Sequence, residues 1–127
     1  MSNKKILVVD DSADMRIYVE VILNKLGYEM LEACDGIEAI EKTIEQKPDI
    51  ILMDIMMPNM DGIEATLTIK NNPKTKKIPI IMLTALLDSN VVMKSYDYGA
   101  DYYLNKPFDK EQLTKAIHFV EKMGDEF

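Results

Sequence analysis

The chain has 127 residues, of which 47% are hydrophobic and 29% charged, a composition typical of one folded domain. Its formal net charge of −7 argues against binding to nucleic acid, because phosphate backbones require a basic surface. A single cysteine, Cys34, excludes an internal disulfide and a thiolate metal cluster, and we expect it to be a small buried residue. Hydrophobic runs are too short for a signal peptide or a membrane span, so we expect a cytoplasmic protein.

The N-terminal third predicts a strand, a helix and a second strand. The β-branched run at 6–9 predicts a buried strand, and 29–34, which contains two glutamates, predicts an edge strand. Between them, hydrophobic residues recur at helical spacing up to Gly27, a residue type that commonly ends helices. This stripe consists of Met15, Val19, Ile22, Leu23 and Leu26.

The middle of the chain predicts a second helix and a third strand. After the turn at Asp35, the spacing of Ile37, Ile40 and Ile44 indicates a helix that ends before Pro48. The segment 49–54 has four hydrophobic residues between two aspartates and predicts a strand buried on both faces.

The second half of the sequence continues the alternation of strands and helices. The predicted order is helix 61–69, strand 78–84, helix 88–98, strand 101–105 and a last helix. The last helix carries a hydrophobic stripe at Leu113, Ala116, Ile117 and Val120. Strands that alternate with helices predict an α/β, doubly wound parallel sheet of five strands with helices on both faces. We expect one domain over 1–127, without an output domain.

Polar residues follow four of the predicted strands, at the point where each strand ends. They are Asp10 and Asp11 after the first strand, Asp54 at the end of the third, Thr84 after the fourth and Lys106 after the fifth. Because the carboxyl ends of parallel strands share one edge, these side chains should converge there. The opposite edge should carry ordinary solvated charges, namely Lys5, Glu29, Asp49, Lys77 and Asp101.

Clustered carboxylates repel each other, and a hard divalent cation relieves that repulsion. Oxygen ligands without cysteine or histidine favour Mg²⁺, with Mn²⁺ as an alternative. A metal, the Lys106 ammonium and the Thr84 hydroxyl are the groups that stabilise a phosphoryl group during transfer to Asp54. Taken alone, Asp10 and Asp11 are more simply explained as helix caps, Thr84 as a strand-end hydroxyl that bonds to the backbone, and Lys106 as a solvated charge. Asp54 alone fits a turn residue about as well as a site. Their convergence favours a site.

The ordered set of motifs resembles the receiver domain of bacterial two-component response regulators, over residues 6 to about 123. The motifs are Asp10-Asp11, the segment 54–58 with Asp61-Gly62, Thr84-Ala85, and Lys106-Pro107-Phe108. This resemblance, rather than the hydrophobic pattern, implies the strand order 2-1-3-4-5 of the flavodoxin-like, CheY-like fold. It also implies a stand-alone signalling switch rather than a turnover enzyme.

The resemblance further implies a role for each residue of the site. Asp54 would accept a phosphoryl group from a sensor histidine kinase or a histidine phosphotransfer protein. Asp11, Asp54 and the backbone carbonyl of Met56 would bind Mg²⁺, with Asp10 acting mostly through water.

Other residues would sense the phosphoryl group. Lys106 would pair with it, Thr84-Ala85 would move toward it, and the aromatic ring of Tyr103 would swing inward. A surface formed by the fourth predicted helix, the fifth strand and the last helix would then bind an unidentified target protein. The resemblance also implies a cis bond between Lys106 and Pro107.

Two alternatives remain open. A small aspartyl-phosphate hydrolase would usually place a second acid two residues after the nucleophile, where this sequence has Met56. A module that signals by dimerisation without phosphate is disfavoured, since all the phosphate-site residues are present. Because Met56 and Leu86 are bulky and apolar, we expect slow loss of phosphate from Asp54.

Overall fold

The computed structural model of the protein describes residues 4–85, 93 and 97–125. Its strands are β1 Lys5–Val9, β2 Glu29–Ala33, β3 Ile50–Asp54, β4 Ile80–Thr84 and β5 Tyr102–Asn105. Its helices are α1 Ala13–Leu26, α2 Gly36–Gln46, α3 Gly62–Lys70 and α4 Lys110–Asp125. Most of the helix predicted at 88–98 lies outside the described residues.

The five strands form one parallel sheet in the order β2-β1-β3-β4-β5. The predicted doubly wound α/β architecture and its strand order are confirmed, and β2 is an edge strand as its glutamates suggested. The register pairs Val9 with Met53 and Asp54 with Leu83, so the carboxyl ends of the central strands lie side by side.

Each central strand buries both of its faces, because successive side chains point to opposite sides of the sheet. Ile6 and Val8 of β1 pack with α1 and α4, whereas Leu7 and Val9 pack with α2 and α3. The predicted stripe of the last helix is fully buried in the first of these cores, through Leu113, Ala116, Ile117 and Val120.

The helix boundaries follow local chemistry. The Ser12 hydroxyl accepts a hydrogen bond from the Met15 N–H at 3.3 Å, and Gly27 ends α1 with a φ of 85°. At the start of α4, Asp109 and Gln112 form a reciprocal cap, each side chain accepting the other's backbone N–H at 2.8 and 3.0 Å.

The buried face of α2 differs from the one that the isoleucine spacing suggested. Ile37 and Ile44 are 46% and 47% exposed, whereas Ala39 and Thr43 are fully buried. The first residue of the helix, Gly36, lies close to Met60 in the loop between β3 and α3. A Cβ placed on Gly36 would be 2.7 Å from the Met60 carbonyl oxygen. Such close approach favours small residues on the inner face. Ile37 and Ile44 face solvent, whereas Ile40 is half-buried and packs against the core.

Two further expectations are wrong. Cys34 is exposed, because it follows the edge strand β2; its backbone N–H donates to the Glu38 carboxylate at 2.6 Å. At the amino edge of the sheet, Asp101 is not simply solvated: it accepts hydrogen bonds from the Lys70 ammonium and the Ile80 N–H, both at 2.8 Å. Among the described residues, none of the helices is both long enough and apolar enough to cross a membrane.

Candidate functional site

Four strand ends bring their polar residues to one edge of the sheet, as the parallel topology requires. Asp10, Asp54 and Thr84 are nearly inaccessible, with 1%, 6% and 1% of their surface exposed, whereas Asp11 is exposed. Carboxylates are rarely buried to this degree without a partner. The two buried carboxylates therefore require a compensating positive charge.

The Lys106 ammonium is the compensating charge. Its Nζ lies 2.7 Å from Oδ2 of Asp10 and 3.3 Å from Oδ1 of Asp54. Burial alone would lower the pKa of Lys106, but the hydrogen bond to Asp10 and the charge of Asp54 outweigh burial and raise it. The lysine therefore bridges the two carboxylates.

One positive charge does not satisfy the whole cluster. Burial and the charge of Asp10 raise the pKa of Asp54 from 3.8 to about 6, although Lys106 acts in the opposite direction. Carboxylate oxygens of Asp10, Asp11 and Asp54 all lie within 4.8 Å of one another. An all-oxygen donor set with this excess of negative charge suits a hard divalent cation such as Mg²⁺.

Asp10 is fixed at every polar group it has. Its N–H donates to the Ala33 carbonyl at 3.1 Å, which extends the β1–β2 pairing by one residue. Its Oδ1 accepts the Ser12 N–H at 2.9 Å, and its carbonyl accepts the Arg16 guanidinium at 2.6 Å. Together with Lys106 on Oδ2, these contacts hold Asp10 on all sides.

The loop from Asp54 to α3 is connected to the start of α2. Asn59, which has a φ of 68°, donates from its side chain to Asp35 at 3.0 Å. The Met60 carbonyl accepts the Gly36 N–H at 3.2 Å. These contacts shape the segment that carries Met56, whose side chain is 62% exposed.

Gly62 is a steric requirement of the same loop. Its N–H donates to the Ile55 carbonyl at 2.9 Å, and a Cβ added to it would lie 2.1 Å from the Asp54 carbonyl oxygen. Real atoms do not approach so closely, so only glycine fits without moving the backbone of Asp54.

The loop after β5 places Lys106. The Lys106 N–H donates to the Thr84 carbonyl at 2.8 Å, and the peptide bond between Lys106 and Pro107 is cis. From α1, the Tyr18 hydroxyl donates to the Phe108 carbonyl at 2.6 Å, and the two rings are 6.0 Å apart. Helix α1 therefore contacts both the Asp10 loop and the Lys106 loop.

The remaining predicted residues lie near this edge. Ala85 directly follows Thr84 and is exposed. Tyr103 is half-buried on β5 beside Met82, and burial raises the pKa of its hydroxyl. His118, on α4, is exposed. Three supporting residues were not predicted from the sequence, namely Asp35, Asn59 and Arg16.

Comparisons with known proteins agree with this geometry. The sequence model described as response regulator receiver domain matches residues 6–118. The chain belongs to the response regulator receiver family. Protein PilG of Pseudomonas aeruginosa is 42% identical over 113 residues, covering 89% of this chain and 84% of PilG. The chemotaxis protein CheY of Thermotoga maritima is 41% identical over 121 residues, covering 94% of this chain and 98% of CheY.

Solved receiver structures superpose closely on this receiver domain. The receiver domain of the sensor histidine kinase PA1611 from Pseudomonas aeruginosa matches with a TM-score of 0.87 and 32% identity, over 94% of this chain and 98% of that one. That structure is described as having a magnesium ion coordinated in the active site cleft. The acidic cluster of Asp10, Asp11 and Asp54 in this receiver fits both magnesium binding and phosphorylation.

Proposed function

We propose that this receiver accepts a phosphoryl group on Asp54 from a phosphohistidine of a sensor histidine kinase or a histidine phosphotransfer protein. The observation that carries the proposal is the position of Asp54: it is buried, 3.3 Å from the Lys106 ammonium and grouped with two more carboxylates. The chain then acts as a signalling switch and does not turn over a substrate.

In the transfer step, an Oδ atom of Asp54 attacks the phosphorus of the phosphohistidine. An O–P bond forms as the N–P bond breaks, and its electron pair returns to the imidazole ring of the donor. The product is a mixed carboxylic–phosphoric anhydride on Asp54. Because Asp54 is the nucleophile, it must be ionised when it reacts, and Lys106 favours that form.

The carboxylates of Asp10, Asp11 and Asp54 and the backbone carbonyl of Met56 would hold Mg²⁺, or Mn²⁺ in its place, with Asp10 acting mostly through water. The bound ion supplies positive charge to the phosphoryl oxygens. The excess negative charge of the cluster supports this assignment, as does the magnesium described for the PA1611 receiver.

After transfer, the Lys106 ammonium exchanges its hydrogen bond to Asp10 for one to the new phosphoryl group. Thr84-Ala85 donates to the same group, and Tyr103 changes its packing as Thr84 shifts. The surface formed by the helix predicted at 88–98, β5 and α4 then binds a target protein. Tyr103 pairs with Met82 beside Thr84, which supports a link between the site and this surface.

The test is intact-mass spectrometry after incubation with Mg²⁺ and a small phosphodonor such as acetyl phosphate. Wild type should gain the mass of one phosphoryl group, and Asp54→Asn should gain none. Asp49→Asn is the matched control, because Asp49 lies at the opposite edge of the sheet, where its carboxylate accepts the Lys5 N–H at 2.8 Å. Equal uptake by wild type and Asp54→Asn would refute the proposal.

The hydrolase alternative makes a different prediction. Turnover of a phosphomonoester would need a second acid next to Asp54, and Met56 offers none there. In the unphosphorylated site both carboxylate oxygens of Asp10 already accept hydrogen bonds, from the Ser12 N–H and the Lys106 ammonium. Sustained release of phosphate from a phosphomonoester, at many turnovers per protein, would favour the hydrolase.

A further inference from the structure

Arg16 contacts the candidate site through the backbone of Asp10, and it has no role in the proposed transfer step. It lies in α1, its side chain is 20% exposed, and its guanidinium reaches two other segments. Nη1 donates to the Asp10 carbonyl at 2.6 Å, and Nε donates to the Glu32 carboxylate of β2 at 3.1 Å. A guanidinium fixed at two edges has little freedom to rotate.

The Asp10 carbonyl belongs to the peptide that leads into Asp11. Because a peptide unit is planar, fixing this oxygen fixes the plane from which the Asp11 backbone departs. The other polar groups of Asp10 already have partners in Ala33, Ser12 and Lys106. The orientation of the Asp10–Asp11 peptide is thus the remaining freedom, and Arg16 restricts it.

Asp11 needs such support more than its neighbours do. Asp10 and Asp54 are fixed by burial, but Asp11 is exposed and still lies within 4.8 Å of both. An exposed carboxylate held close to two others gains no packing energy from that position, and charge repulsion opposes it. A charge-assisted hydrogen bond to the preceding carbonyl can offset the repulsion.

We propose that Arg16 is a positioning residue of the cation site, which orients the Asp10–Asp11 peptide so that Asp11 faces the other two carboxylates. This inference rests on the proposed function, since it concerns the cation that serves phosphoryl transfer. Glu32 acts indirectly, because its carboxylate fixes the plane of the Arg16 guanidinium. The proposal predicts that changes at Arg16 weaken cation binding more than they weaken the fold.

The experiment measures the Mg²⁺ dissociation constant of the unphosphorylated protein by calorimetry for wild type, Arg16→Ala, Arg16→Lys and Glu32→Gln. Lys42→Ala is the matched control: the Lys42 ammonium also binds Glu32, at its backbone carbonyl, without contacting Asp10. Losing an outer contact of a metal ligand typically weakens binding by roughly tenfold or more. We expect that loss for Arg16→Ala, smaller losses for Arg16→Lys and Glu32→Gln, and none for Lys42→Ala.

A second measurement separates positioning from general destabilisation. The rate of phosphorylation by acetyl phosphate is recorded against Mg²⁺ concentration. For Arg16→Ala the curve should shift to higher Mg²⁺ and recover most of the wild-type maximum. Suppose wild type binds Mg²⁺ and takes up phosphate, and Arg16→Ala has the wild-type dissociation constant. The positioning role of Arg16 is then refuted, while the proposed function stands. If wild type does neither, the proposed function and this inference fail together.

Discussion

Lys106 Nζ lies 2.7 Å from Oδ2 of Asp10, a carboxylate with only 1% of its side chain exposed. The lysine is therefore a structural counter-ion in the absence of phosphate, and a phosphoryl group on Asp54 must compete with Asp10 for it. Removing the lysine would leave two buried carboxylates facing each other without a charge between them.

Lys106→Met should raise the pKa of Asp54 further above about 6 and lower the free energy of unfolding by about 3 kcal/mol. The pKa rises because Lys106 is the main group that favours the ionised carboxylate. Carbon-13 NMR titration of labelled aspartates measures the first effect, and urea unfolding the second. Lys70→Met is the control, since Lys70 is equally buried and pairs with Asp101 at 2.8 Å at the other edge. It should destabilise the fold and leave the pKa of Asp54 unchanged.

Asp54→Asn should stabilise the metal-free protein at neutral pH. A carboxyl whose pKa is raised from 3.8 to about 6 on folding binds its proton more tightly when folded, so ionisation above pH 6 costs stability. The shift corresponds to about 3 kcal/mol as an upper figure. The gain should be full at pH 8, shrink as the pH falls through 6, and vanish below 3.8. Urea unfolding at pH 8 and pH 4 measures it. Glu45→Gln removes one negative charge from an exposed residue of α2 and controls for net charge. An equal gain in stability for Asp54→Asn at both pH values would contradict the explanation by ionisation of Asp54.

The sequence predicted those features of this receiver that depend on the spacing of hydrophobic residues and on the parallel direction of the strands. A short hydrophobic run such as 50–53 is typical of a strand buried on both faces, and parallel pairing then places Asp54 at the same edge as Asp10. Ser12 and Gly27 act as helix boundaries through contacts within a few residues, so the sequence contains the whole cause.

The parts that were missed depend on distances between segments far apart in the chain. Cys34 was expected to be buried from its residue type, but its exposure follows from β2 being at the edge of the sheet. The outer position of Ile37 follows from how closely Gly36 approaches Met60. Arg16 was unremarkable in sequence because its partner Asp10 offers a backbone carbonyl, which any residue could provide.

Gly62→Ala tests the close approach of α3 to Asp54. The new methyl group would lie 2.1 Å from the Asp54 carbonyl oxygen, so the backbone of the proposed nucleophile must move. We expect a loss of about 3 kcal/mol in unfolding free energy and weaker Mg²⁺ binding. Gly27→Ala is the comparison, because Gly27 has a φ of 85° with nothing within 4 Å of a new Cβ. It should cost about 1 kcal/mol from backbone strain and leave Mg²⁺ binding intact. Equal losses in both variants would argue against a special role for Gly62.

Met56→Asn should speed the loss of phosphate from Asp54 severalfold. The Met56 side chain is apolar and 62% exposed beside the site, so it offers no group to orient an attacking water, whereas an asparagine amide can bind one. Time-resolved intact-mass spectrometry of the phosphorylated protein, after the phosphodonor is removed, gives the rate. Leu67→Asn is the control, since Leu67 is a 39% exposed apolar residue in the second half of α3. Leu86→Glu should act in the same direction as Met56→Asn, although Leu86 lies outside the described residues. If both site variants keep the wild-type rate, apolar shielding does not determine how long the phosphoryl group persists.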